Sequence, residues 1–221
     1  MRFGSCLLWG TLLFVSLAEF LTDFSGIGVF ASPSDCKSAT IDDVNKCLEK
    51  YSECFPEMVK KGGHDSLNRL IWMLQESLDI LRPSQDKFCK HSPQCPQPLA
   101  PKNGGLVCVT IDSVEYCKPM CNKGYDFQFL RRSRLYETCG NITGFSWTTQ
   151  MVGGQTLAVC EPSETAVSGA DSAYFPANSS CLHTLAFSEP EQLNIFLKEL
   201  AEQGVDISNH DKQADCLMCG Y

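Results

Sequence analysis

The segment "EYCKPMCNKGYDF", residues 115–127, decides how the rest of the chain is read. It sets Cys117 and Cys121 four positions apart and follows them with Gly124 and Tyr125. That spacing suits a metal knuckle, a redox pair or a disulfide scaffold, and the compartment selects among them. The chain has 221 residues, 14 of them cysteine, and a formal net charge of −8. Cysteine at this density, in a chain that is 43% hydrophobic, points to a disulfide scaffold with a core and argues against global disorder.

The N-terminus points to export. "MRFGSCLLWGTLLFVSLA" carries Arg2 and then an apolar run from Cys6 to Ala18. The run is short for a bilayer span and long enough for a signal-peptide core. Cleavage after Ala18 and after Ala31 both fit. The apolar character of "EFLTDFSGIGVFA" between them favours Ala31, which makes residues 1–31 the signal peptide. No later stretch reads as a membrane span. Two sequons, at Asn141 and Asn178, agree with a secreted glycoprotein. In an oxidising compartment thiols pair, so these cysteines are expected as bridges. The acidic balance argues against nucleic-acid partners and anionic membranes, and the scattered carboxylates read as solvated faces.

Working outward, the exported chain falls into parts. Residues 36–89 read as helical. "TIDDVNKCLEKYSECFPEMVKK" opens with Thr40 and Asp43, a capping-box variant, and its apolar residues step by three and four. Cys47 and Cys54 share one face about 10 Å apart, too far to bridge within a regular helix. A second helix starts at Asp65 or Ser66, carries Leu67, Leu70, Ile71, Leu74, Leu78 and Leu81, and stops at Pro83. Trp72 and Met73 read as core or flank residues on it. The short connection implies an antiparallel hairpin. Residues 95–160 lose the helical period. Prolines open the segment, and short β-type runs follow ("LVCVTI", "YDFQFL", "FSWTTQ", "TLAVC"). Residues 161–180 read as a polar linker. In 181–221, "SEPEQLNIFLKELAEQG" has Ser188 as N-cap, Pro190 in the first turn, an apolar face of Leu193, Phe196, Leu197 and Leu200, and Gly204 as its end.

The order of marks in 95–160 is Cys95-Pro-x-Pro, "KNGG", Cys121 before Gly124 and Tyr125, then Cys139, Trp147 and Cys160. This resembles a divergent sushi (complement control protein) module. The resemblance implies a small β-domain with Cys95 bridged to Cys139, Cys121 bridged to Cys160, and Trp147 in the core between them. It also implies a role in binding extracellular proteins or glycans. The chain departs from the pattern in lacking a proline shortly before the last cysteine and in carrying the extra Cys108 and Cys117. These two bracket a hairpin-like "VTIDSVEY", so a third bridge Cys108–Cys117 is expected to staple it. Independently of any family, a Gly/Pro-rich β segment of this size needs staples because its own core is marginal.

Seven outer cysteines remain: Cys36, Cys47, Cys54, Cys89, Cys181, Cys216 and Cys219. The economical reading ties the N- and C-terminal groups together, with the C-terminal helix packed on 36–89 and the β module as an excursion. Seven is odd, so one cysteine is free, bound to a small thiol or linked to a second chain as a disulfide-linked dimer. Cys219 is the first choice for it. The fold class expected is therefore α+β, a small disulfide-linked helical domain with an all-β module between its halves.

The remaining motifs carry the candidate chemistry. Cys216 and Cys219 have redox C-x-x-C spacing but no βαβ context. His210 with Cys216 and Cys219 offers three zinc ligands, against the compartment and without an evident fourth. His64, His91, His183 and His210 read as loop or turn residues beside no catalytic motif. Arg131, Arg132 and Arg134 suit either a grip on a sulfated glycan or a solvated rim, and the rim is favoured. No cofactor, metal or catalytic residue is assigned. The reading is a secreted, non-enzymatic protein with a recognition, adhesion or matrix role, including incorporation into a mineralised matrix. The alternatives are a soluble ligand or inhibitor of a receptor or protease, acting through "VTIDSVEY", and a thiol–disulfide oxidoreductase using Cys216 and Cys219.

Overall fold

A computed structural model describes residues 40–85, 89–151 and 154–221. Residues 1–31, read from the sequence as a signal peptide, and Cys36 lie outside these residues. The chain divides into two compact units, Met1–Leu74 and Gln75–Tyr221.

In the first unit the capping box forms. The Thr40 hydroxyl accepts from the Asp43 N–H, and the Asp43 carboxylate accepts from the Thr40 N–H at 3.0 Å. Helix α1 runs over Ile41–Ser52. The single helix expected through Lys61 breaks here, and α2 covers Phe55–Lys61 with Cys54 as its N-cap. The cause is Pro56, which donates no hydrogen bond to the carbonyl four residues back and is tolerated only in a first helical turn. Helix α3 spans His64–Gln85 and carries Pro83 inside it instead of stopping there. Pro83 falls in the last turn, where its missing N–H costs one bond at a fraying end. None of residues 40–84 is buried. The stripes that would have formed a hairpin core, Val44 and Leu48 on α1 and Leu70 and Leu74 on α3, stay exposed.

The second unit is built on a four-stranded antiparallel sheet whose strands lie in the order Glu137–Cys139, Val114–Cys121, Gly104–Ile111, Cys216–Cys219. Strands β1 (Gly104–Ile111) and β2 (Val114–Cys121) form the hairpin expected at "VTIDSVEY". Its two turn residues, Asp112 and Ser113, have φ of 49° and 62°, the left-handed pair that matches the twist of a two-residue hairpin. Short β3 (Tyr125–Phe127) pairs with β5 (Cys160–Pro162), and β4 (Glu137–Cys139) flanks β2.

The C-terminal segment belongs to this sheet. Strand β6 (Cys216–Cys219) lies along β1, with Cys108 opposite Cys216 and Gly105 opposite Cys219. Helices α4 (Cys181–Phe187) and α5 (Glu189–Glu202) follow the 161–180 segment. Phe196 and Leu200 of α5 are buried with Val107, Val109, Ile111 and Leu217. The apolar stripe of the C-terminal helix, which the sequence reading sets against 36–89, covers a face of the sheet. Lys118 of β2 meets Glu199 of α5 at 2.5 Å across that interface, with the lysine fully buried.

Residues 161–180 are likewise no linker. Asp126 is buried and accepts from the N–H groups of Phe127, Val167 and Ser168 and from the Ser168 and Tyr174 hydroxyls. Phe175 is buried, and its N–H donates to the Cys121 carbonyl at 3.0 Å. Burial alone would raise the Asp126 pKa. The hydrogen bonds, led by that of Tyr174, outweigh it and hold the carboxyl at about 2. Burial and the same bond push Tyr174 up to about 12.

Candidate functional site

The two faces of the sheet sort the cysteines. Strand side chains alternate, so residues an odd number apart point to opposite sides. On one face Cys108, Cys216 and Met218 join Leu106, Cys117, Trp147, Leu157 and the Cys95–Cys139 bridge. On the other, Cys219 and Leu217 join α5. The C-x-x-C of β6 therefore cannot close on itself. Cys216 bridges Cys89, and Cys219 bridges Cys181. That corrects Cys219 as the leftover cysteine. Among the described residues the free thiol is Cys54, exposed at the start of α2. Cys47 is disulfide-bonded.

The remaining bridges are Cys95–Cys139, Cys108–Cys117 and Cys121–Cys160. The first and last are the pairs the sushi resemblance implies. Trp147 donates from Nε1 to the Pro96 carbonyl at 2.7 Å and packs with Cys95–Cys139. Cys121–Cys160 sits in a separate cluster with Phe127 and Ala173. "KNGG" has a packing reason. A Cβ on Gly104 would come within 2.9 Å of the Cys160 sulfur, and one on Gly105 within 2.3 Å of the Cys181 sulfur.

The arginine cluster does not form a free basic surface. Arg131 is buried, pairs with fully buried Glu137 at 3.3 Å, donates to the Leu157 carbonyl and lies over the Phe127 ring. Arg134 grips the same carboxylate with two bonds, at 2.8 and 2.6 Å. Only Arg132 is exposed, donating to the Val167 carbonyl. Glu137 is the residue sequence reasoning missed, although "RRSRLYE" places a carboxylate three positions from Arg134.

The histidines divide in the same way. His64 begins α3 and His183 lies in α4, not in loops. His210 Nε2 bonds Asp215 at 2.6 Å, and its expected co-ligands Cys216 and Cys219 are both in bridges. His91 stands apart. Its Nδ1 lies 3.3 Å from the carboxylate of Glu115, which is buried and also accepts from the Ser92 N–H. Its Nε2 is buried and makes no hydrogen bond. The ligand atoms of Cys89, His91 and Cys216 all lie within 4.8 Å of one another. Both sequon residues, Asn141 and Asn178, are exposed.

These features define a disulfide-stapled α+β protein with five bridges among its described residues. No helix among those residues is long and apolar enough to cross a membrane. No family model, curated protein or solved structure matches the chain.

Proposed function

We propose that this is an exported, non-enzymatic protein with an extracellular recognition, adhesion or matrix role, built around a sushi-like segment at 95–160. The observation that carries the reading is the use of sulfur. Every described cysteine of the sheet unit is in a bridge, and the bridges thread both faces of the sheet. Such a framework persists in an oxidising compartment. The exposed sequon asparagines are in keeping with it.

A redox role for Cys216 and Cys219 is disfavoured because the two sulfurs are bonded to different partners on opposite faces. The soluble ligand or inhibitor reading loses its loop, since "VTIDSVEY" is mostly strand and only Asp112 and Ser113 at its tip are exposed. Cys54 takes the place of Cys219 as the cysteine left for a link to a second chain.

The test is extraction of the native protein from its tissue. The expectation is a glycosylated protein outside cells, part of it held in the insoluble matrix and released by reduction or chelation, with a protein or glycan partner retained on the purified chain. A freely soluble protein that captures one receptor or protease favours the ligand or inhibitor class. A reduced cytosolic protein overturns the proposal.

A further inference from the structure

Among the described residues, the Cys89–Cys216 bridge has a histidine, His91, beside its sulfurs. We propose that reduction of Cys89–Cys216 opens a site for a tetrahedral, zinc-type divalent cation, held by Cys89 Sγ, Cys216 Sγ and His91 Nε2, with water in the fourth position.

The geometry fits without rebuilding. Zinc takes thiolate at about 2.3 Å and imidazole at about 2.0 Å, which sets neighbouring tetrahedral ligand atoms roughly 3.3–3.8 Å apart. The two sulfurs and a ring nitrogen of His91 already lie within 4.8 Å of one another, and cleaving the S–S bond frees the sulfurs to separate by the amount required. Two of the three ligands are held by something other than the bridge. Cys216 is fixed by the β6–β1 register opposite Cys108. His91 is oriented by the buried Glu115, itself pinned on β2 opposite Cys139.

The histidine is also presented in the right form. A proton on Nδ1 shared with Glu115 leaves the Nε2 lone pair free for a ligand, and a carboxylate behind a ligating imidazole is the usual support at zinc sites. That same Nε2 is buried without a hydrogen bond, a state that ordinarily calls for a partner. The His91 side chain keeps 13% exposure, which leaves a way in. Among the described residues no other group of three such ligands occurs.

The chemistry balances. A phosphine reductant supplies two electrons to the S–S bond, takes oxygen from water and leaves as phosphine oxide, while the two sulfurs become thiols. The cation then displaces the two thiol protons. The metal would re-close the same loop of sequence separation 127 that the disulfide closes. One junction would thus persist in oxidising and reducing surroundings.

The full-length secreted chain tests this. It is reduced stepwise with a water-soluble phosphine, titrated with Zn2+ or Co2+, and followed by native mass spectrometry, cobalt absorption and thiol alkylation. The expected result is one metal per chain, a thiolate-to-cobalt charge-transfer band, and protection of Cys89 and Cys216 from alkylation. His91→Ala abolishes the stoichiometric binding, and Glu115→Gln weakens it by about 10-fold or more. Both variants are first required to show the native bridges in the oxidised state. Metal uptake unaffected by His91→Ala overturns the proposal. So does protection of other cysteines, or a reduced chain that takes up no metal.

Discussion

Residues 41–61 and residues 104–121 make an informative pair. Both are rich in apolar side chains at a regular period, and each carries two or more cysteines. The helical stretch buries none of its residues, whereas the hairpin buries most of its own. The difference lies in what each period faces. The β1–β2 hairpin has two opposed faces and a layer for each, α5 on one side and a stack of cystines with Trp147 on the other. The α1 stripe has no such layer among the described residues. A regular apolar pattern thus specifies which side of an element can be buried, and a partner layer decides whether it is.

The contrast can be sharpened by mutation, read as urea or guanidinium denaturation. The largest loss is expected from Glu137→Ala, which leaves the buried Arg131 guanidinium without its carboxylate. About 3–5 kcal/mol is the expected cost. Replacing both ends of Cys121–Cys160 with serine comes next, at about 2–4 kcal/mol. Asp126→Asn should cost about 2 kcal/mol at neutral pH, with a particular acid dependence. The folded-state pKa is held near 2, below the ordinary value of 3.8, so the contribution is complete above 3.8 and disappears as pH falls through about 2. The stability gap between wild type and Asp126→Asn should therefore be constant at neutral pH and narrow between about pH 4 and pH 2. The smallest change belongs to the other region: Leu48→Ala should stay within about 0.5 kcal/mol, apart from helix propensity. A loss of 2 kcal/mol or more at Leu48 would show that α1 has a partner layer after all.

How much of this was legible in the sequence follows from how local each signal is. The capping box at Thr40 and Asp43 lies within four residues and was readable outright. So was the stapled hairpin, whose two-residue turn sits midway between Cys108 and Cys117. Pro56 marks the α1–α2 break, and the apolar period that continues across it hides that mark. Strand β6 gave no local sign. Four residues carry no measurable period, and their partner strand lies at the start of the β segment. The role of Asp126 depends on donors contributed by residues 167–174, which composition alone presents as a polar linker. The cluster of Cys89, His91, Glu115 and Cys216 was hidden for the same reason, since β6 and the β1–β2 hairpin must pair before its members meet.

The most direct measurement is bridge assignment on the native, unreduced protein by proteolysis and mass spectrometry. The account predicts Cys89–Cys216, Cys95–Cys139, Cys108–Cys117, Cys121–Cys160 and Cys181–Cys219, with Cys54 either alkylated as a lone thiol or recovered in a link to a second chain. A peptide containing Cys216 joined to Cys219, or native protein with the sheet cysteines reduced, would contradict it.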